Sequence, residues 1–322
     1  MSGLVQPLNW HAADWQRMMS AHRHNRLPHA ILLSGPKYIG KQQFSRALAQ
    51  HLLCITEDYS GNCGHCKGCQ LNAAGTHPDL TVLAPEEAGK AIGISDIRML
   101  AMNVSKTGQQ GGWKIIIVTP AEAMTASAAN ALLKTLEEPQ GQTLIMLVSH
   151  ELGRLPATIR SRCQRHVLPL PSNAEALSWL QSSSTDRETL QLALTKAQGR
   201  PLMAQQYLTG GLLDRHRQFD LWIDDVAAGR LPPLEAALHC QKLDAVVLID
   251  WFLFYLHHRI CSDIERQCYP QIFSFYDKLG KARGWIMSGA NPNSQLVWEE
   301  LFFDWLALSK VQQNFSPTLA EL

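Results

Sequence analysis

The chain has 322 residues, 46% of them apolar, which suits two or three packed domains and excludes an intrinsically disordered segment. Lys and Arg total 29 against 28 Asp and Glu, and a formal net charge of +1 excludes the broad basic surface of an autonomous duplex binder. Met1 to Pro7 lacks a basic-then-apolar leader pattern and no apolar run approaches the ~20 residues of a membrane span, so a soluble cytoplasmic protein is expected.

From about Leu27 to Pro169, short β-branched runs alternate with amphipathic stretches, the pattern of a parallel sheet covered on both faces. Strands are expected at Ala30 to Ser34, Leu80 to Leu83, Lys114 to Val118, Leu144 to Val148 and Arg165 to Leu168. Helices are expected near 41–53, 95–104 and 125–138, with Ser95 and Thr125 capping the latter two. Pro169 and Pro171 end the last strand, and no strand pattern returns after Asn173. Short helices follow, with Gly199-Arg200-Pro201 placing a break and then a proline at a first helical turn. After Gly210-Gly211 the chain reads as all-helical, with long amphipathic segments around 244–264 and 293–313. Trp251 to Tyr255 and Trp298 to Trp305 fall at helical spacing, which points to core and subunit packing. The expected domains are residues 1–170, a nucleotide-binding-type α/β domain; 171–211, a small helical domain; and 212–322, an all-α C-terminal domain.

Cys63-Gly-His-Cys66-Lys-Gly-Cys69 spaces three thiols two residues apart, and Cys54 stands nine residues earlier at a helix end. A redox C-x-x-C needs neither a third nor a fourth thiol, whereas Cys54, Cys63, Cys66 and Cys69 fit one tetrahedral Zn²⁺ per chain, with His65 as a substitute ligand. Gly64 and Gly68 permit the tight backbone. Four thiolates leave no open position for water, so the metal is expected to staple an insertion at 54–69 and not to act in catalysis. Cys163, Cys240, Cys261 and Cys268 lack the spacing and read as core or helix-face residues.

Gly35-Pro-Lys-Tyr-Ile-Gly40-Lys41 follows an apolar strand and opens a helix, the context in which backbone N–H groups cradle phosphates. Gly35, Gly40 and Lys41 would contact a nucleotide bound there. Gln42 stands where a Ser or Thr hydroxyl would hold Mg²⁺, and Thr119-Pro120 follow the strand whose end would carry two carboxylates. Glu122 lies too far along to substitute without a different backbone path. Hydrolysis in this chain's own cleft is therefore not expected. Leu132 to Glu138 suits a helix with leucines on the sheet and Lys134 paired to Glu138 at i, i+4.

Ala129-Asn-Ala-Leu-Leu-Lys-Thr-Leu-Glu-Glu-Pro139 and Leu155-Pro-Ala-Thr-Ile-Arg-Ser-Arg-Cys163, preceded by the four-cysteine insertion, resemble the clamp-loader branch of the AAA+ ATPases. The likeness runs from about Leu27 to Val167. It implies an AAA+-like α/β domain of P-loop NTPase type, then a small helical lid and an all-α collar that assembles a hetero-oligomeric ring. It also implies that Arg162, in Ser161-Arg162-Cys163, reaches the γ-phosphate of ATP on a neighbouring subunit, with Arg160 as the nearby alternative. Ser149 stands where active relatives sense that phosphate, and Leu202 or Met203 fills the position of their sensor arginine. Both the latter and Gln42 argue against a working ATP site here. The implied partners are gamma/tau-type and delta-type loader subunits, the DNA polymerase III holoenzyme (a nucleotidyltransferase), the sliding clamp indirectly, and DNA through the complex, with no membrane. The rival readings are an independently active AAA+ ATPase and a zinc-dependent nucleic-acid-binding module.

Overall fold

Ile31 and Leu33 alternate with Ala30 and Leu32 along β1 (Ala30–Ser34), and the two sets enter separate apolar clusters on the two faces of one sheet. A computed structural model describes residues 3–56, 62–87, 89–104, 112–181, 186–241, 243–262, 269–287 and 293–314. These residues form two compact units, Met1–Gln205 and Gln206–Leu322.

The first unit holds α1 (Ala12–Arg23), β1, α2 (Lys41–Leu52), α3 (Lys67–Ala74), β2 (Leu80–Leu83), α4 (Ile94–Val104), β3 (Lys114–Val118), α5 (Ala126–Glu137), β4 (Thr143–Ser149), the single-turn α6 (Ala157–Arg160) and β5 (Gln164–Val167). The five strands are all parallel, in the order β2-β3-β4-β1-β5. β1 is thus central, its Ser34 registered with Ser149 of β4 and Val167 of β5. β5 begins one residue earlier than its apolar run suggests, and the amide of Leu168 still extends the ladder to the Ser34 carbonyl at 2.9 Å. One face packs Leu32, Ile116, Val118, Ile145 and Leu147 beneath α4 and α5. The other packs Ile31, Leu33, Ile117, Met146 and Val148 beneath α1 and α2. Burial on both faces explains why these strands read as continuous apolar runs. This is the AAA+-like α/β architecture, followed by helices.

Three of those helices, α7 (Asn173–Leu180), α8 (Arg187–Lys196) and α9 (Pro201–Thr209), follow the sheet. Ser172 and Glu175 form a reciprocal capping box at the start of α7, Asp186 caps α8, and Pro201 opens α9 as its rigid φ favours. The second unit contains α10 (Leu212–Ala227), α11 (Pro233–Cys240), α12 (Ala245–Ser262), α13 (Tyr269–Met287) and α14 (Ser294–Asn314). Phe219, Phe252, Trp298, Phe302 and Trp305 are fully buried in it, and the Trp305 indole N–H donates to the Ile223 carbonyl at 2.9 Å. Trp251, Phe252, Trp298, Phe302 and Trp305 are therefore core, whereas Phe254 and Tyr255 are half-buried and Phe303 is exposed. Cys163 and Cys240 are buried, Cys261 is exposed on α12, and Cys268 lies outside the described residues. No described helix is long and apolar enough to cross a membrane.

One of the two expected caps is corrected. The Thr125 hydroxyl accepts from the Ala128 amide at 3.2 Å, a regular N-cap. Ser95 is the exposed second residue of α4, whereas the carboxylate of Asp96 reaches back to the Gly93 amide at 2.8 Å. Asp supplies the stronger acceptor for an orphan N–H at a helix start, so it takes the capping position in energy if not in sequence. Accordingly, Thr125→Ala should cost about 1 kcal/mol and Asp96→Ala a similar amount, while Ser95→Ala stays within about 0.5 kcal/mol. Urea unfolding midpoints of the three variants check this order.

Candidate functional site

The loop between β1 and α2 emerges at the carboxyl edge of the sheet, where open parallel sheets place their ligand crevices. Gly35 has φ +145°, and a Cβ there would lie 2.3 Å from the backbone oxygen of Leu168, so no other residue fits this exit. Gly40, at φ 91°, is the residue before α2. Lys41 opens the helix but is 2% exposed, and its ammonium turns back into its own loop, donating to the Gly35 carbonyl at 2.7 Å and to the Pro36 carbonyl. Burial lowers its pKa to about 8, with the Glu122 carboxylate opposing that shift. The cation that a phosphate would need is thus engaged by two carbonyls.

Glu122 reaches this edge by the different backbone path that the sequence alone could not supply. A 3₁₀ turn, Ala121–Ala123, follows Thr119-Pro120, and Glu122 Oε1 accepts from the His150 amide at 2.8 Å. Its Oε2, the Ser149 hydroxyl and His150 Nδ1 are buried without a hydrogen-bond partner among the described residues. Burial, then the Lys41 charge, pushes the His150 pKa down to about 4. From the other side the fully buried His11, packed edge-on against Phe44, approaches Gly40, with both ring nitrogens lacking a hydrogen-bond partner among the described residues. Desolvation lowers its pKa to about 4 against the attraction of Asp14. Leu202 supplies an amide to the Tyr38 carbonyl at 3.2 Å, and Trp10 donates its indole N–H to the Ile39 carbonyl at 3.0 Å while packing edge-on to Trp179. The loop is therefore held by its own lysine, by the segment before α1 and by the first turn of α9. Glu122, His150 and His11 carried no motif that would mark them.

Cys54, Cys63, Cys66 and Cys69 come together, all four Sγ atoms within 4.8 Å of one another. The Cys54–Cys66 and Cys63–Cys69 sulfur pairs are each 3.8 Å apart. A tetrahedral ion with Zn–S bonds of about 2.3 Å sets S···S edges of about 3.8 Å, so the donor set fits this metal in chemistry and in size. The amides of Cys66 and Cys69 point at the sulfurs of Cys63 and Cys66, at 3.3 and 3.4 Å, as polarised N–H groups around thiolates do. A Cβ on Gly68 would meet the Leu53 carbonyl at 2.2 Å, which is why the start of α3 can lie against the end of α2. The His65 ring bonds the Cys63 carbonyl at 2.8 Å and is not part of the cluster.

Arg162 lies in the turn between α6 and β5, its side chain 36% exposed. Nε donates to Glu137 Oε1 at 2.5 Å and Nη1 to the Thr158 carbonyl at 3.1 Å. Arg160 is also exposed, at the end of α6. The expected Lys134–Glu138 pair does not form among the described residues: α5 ends at Glu137 and Glu138 leaves the helix at φ −133°, while Glu137 pairs with Arg162.

The family described as DNA polymerase III, delta subunit, matches residues 10–172, which take in the whole sheet, the β1–α2 loop, the four thiols and Arg162. DNA polymerase III subunit delta' of Pseudomonas aeruginosa is 36% identical, covering 93% of this chain and 97% of its own. The chain belongs to the delta-prime family of DNA polymerase III subunits. Subunit delta' of Haemophilus influenzae is 36% identical over 74% of each chain, and that of Escherichia coli is 38% identical over 60% of this chain and 58% of its own. A DNA polymerase III gamma subunit-related protein from Thermotoga maritima superposes with a TM-score of 0.49 at 17% identity, over 91% of this chain and 99% of its own. The family match stops near the last strand, while the Pseudomonas aeruginosa relative extends the likeness through the helical remainder.

The two depressed imidazoles have a thermodynamic consequence. A histidine at about 4 when folded and 6.5 when unfolded lets the unfolded chain bind more protons between those values, so stability is full above pH 6.5 and declines toward pH 4. His11→Phe should flatten that decline by about one proton's worth of slope. Chemical unfolding of both proteins between pH 7 and 4 measures it, with parallel curves counting against a neutral buried His11.

Proposed function

We propose that this chain acts as the delta-prime-type subunit of a DNA polymerase III clamp loader, in a cytoplasmic hetero-oligomeric ring with gamma/tau-type and delta-type subunits. The ring's work is the ATP-dependent placement of the sliding clamp on primed DNA during replication, with this chain's DNA contact made through the complex. In this reading residues 1–170 are the AAA+-like domain, 171–211 the lid and 212–322 the collar. The chain assists a neighbour's ATP hydrolysis and runs none itself.

The observation that carries the second half of this reading is the engagement of the Lys41 ammonium by the Gly35 and Pro36 carbonyls. Phosphoryl transfer needs a free cation, a hydroxyl and a carboxylate to place Mg²⁺, and a group to orient water. Here the cation is bound internally, Gln42 replaces the hydroxyl, Thr119 and Pro120 replace the acids, and one oxygen of Glu122 is engaged by the His150 amide. Arg162, by contrast, reaches solvent with three of its five guanidinium donors unpartnered among the described residues. A permanently charged, planar fork is suited to stabilising charge that spreads over the oxygens of a transferring phosphoryl group on the next subunit. The four thiolates of Cys54, Cys63, Cys66 and Cys69 would hold one Zn²⁺, which would close the 54–69 segment onto the end of α2 as a structural element.

Two outcomes are expected. The chain alone should show no Mg²⁺-dependent ATP turnover, and Arg162→Ala in the reconstituted loader should slow clamp- and DNA-stimulated hydrolysis by roughly tenfold or more. Turnover by the isolated chain that disappears with Lys41→Ala would favour the active-ATPase reading instead. Metal analysis of the reduced, undenatured protein should find about one zinc per chain, and Cys69→Ser should remove it and lower the melting temperature.

A further inference from the structure

The contact between Arg162 and Glu137 joins segments 25 residues apart and ties a flexible side chain to a helix anchored in the core. Glu137 is the last residue of α5, a helix fixed to the sheet by the fully buried Leu132 and Leu136. A carboxylate at a helix C-terminus faces the negative end of the helix dipole and gains nothing from its own helix there. Its partner is 36% exposed and it is itself 48% exposed, so solvent screens the pair and its contribution to stability is small. What the pair does supply is geometry. Nε is held by Glu137 and Nη1 by the carbonyl of Thr158 on α6, so the guanidinium plane is fixed by two points on two different elements. Both N–H groups of Nη2 remain without a partner among the described residues.

We propose that Glu137 is a positioning residue for Arg162: it clamps the Nε side of the guanidinium so that the Nη2 side is presented, already ordered, to a phosphate on the adjoining subunit. This rests on the reading of Arg162 as a residue supplied in trans. An arginine that must be ordered only on arrival loses rotamer freedom at that moment, whereas one fixed beforehand has already lost it, and transition-state contacts are sensitive to displacements of about 1 Å. Glu137 touches no substrate and acts only through Arg162.

The test is a double-mutant cycle in the reconstituted loader, with clamp and primed DNA present and ATP varied. Glu137→Ala should lower kcat roughly tenfold with KM for ATP unchanged within about twofold, since the contact it supports forms in the transition state. Glu137→Gln, which keeps an acceptor oxygen at the same reach, should retain most of the activity. Arg162→Ala combined with Glu137→Ala should be no slower than Arg162→Ala alone, because a clamp without its arginine has nothing to place. The melting temperature of Glu137→Ala should match that of the parent. If Arg162→Ala leaves turnover unchanged, the trans reading itself fails. If Arg162→Ala slows turnover but Glu137→Ala does not, or if the two losses multiply, Arg162 keeps its role and the positioning by Glu137 is rejected.

Discussion

A buried ammonium must be compensated inside the protein, and the way Lys41 is compensated constrains everything around it. Removing a charge from water costs several kcal/mol unless its donors are paired, and Lys41 pairs with the carbonyls of the loop it would otherwise leave open. That arrangement needs the Gly35 exit, tight against the Leu168 carbonyl, and the left-handed Gly40 that turns the chain into α2. Glu122 completes it by bringing a negative charge to the same edge. The loop is thus a self-satisfied structure, in which backbone carbonyls occupy the lysine and neighbouring elements occupy the flanks.

The same economy runs through the first unit. The segment before α1 lies along α2, with the Val5 amide on Gln50 Oε1 at 2.8 Å and Gln43 donating to the Gln6 carbonyl at 2.8 Å, and it brings Leu8, Trp10 and His11 against the loop. At the far end of α2, Gly68 lets the thiol cluster settle against the Leu53 carbonyl. One helix therefore carries the loop at its N-terminus and the metal-sized thiol cluster at its C-terminus. On the opposite face of the sheet, α5 carries Glu137 and so fixes Arg162. The sheet divides a closed loop on one side from an outward-facing cation on the other.

Sequence reasoning reaches those features whose cause is local. The five strands are legible because burial on both faces forces β-branched runs, and the thiol cluster is legible because the repeated two-residue spacing keeps Cys63, Cys66 and Cys69 within reach of one another. Gln42 and Thr119-Pro120 are informative because a side chain lacking an oxygen donor of the right kind cannot be rescued by its surroundings. What remained hidden depends on contacts between distant segments. The return of Glu122 needs a 3₁₀ turn and the amide of His150, 28 residues on. Periodicity cannot tell whether Glu137 or Glu138 finds a cation when the helix ends between them, and the arrival of His11 under Gly40 leaves no pattern in either segment. Ser95 is of a common capping type, yet Asp96 one residue later offers a charged acceptor at the distance the Gly93 amide requires.

The nearness of Glu122 to Lys41 sharpens the distinction between an inactive cleft and one that is merely incomplete. A cleft short of one group regains chemistry when that group is restored. Here a hydroxyl at position 42 would meet a loop whose lysine is engaged by carbonyls, a carboxylate with one oxygen on a backbone amide, and an imidazole whose burial disfavours its charged form. Lys41 and one oxygen of Glu122 would have to exchange these partners for a phosphate or magnesium, while Glu122 Oε2 and His150 Nδ1 have no hydrogen-bond partner among the described residues. The internal contacts of Lys41 and Glu122 thus add to the missing hydroxyl at position 42, whereas the contacts of Arg162 with Glu137 and Thr158 involve none of these groups.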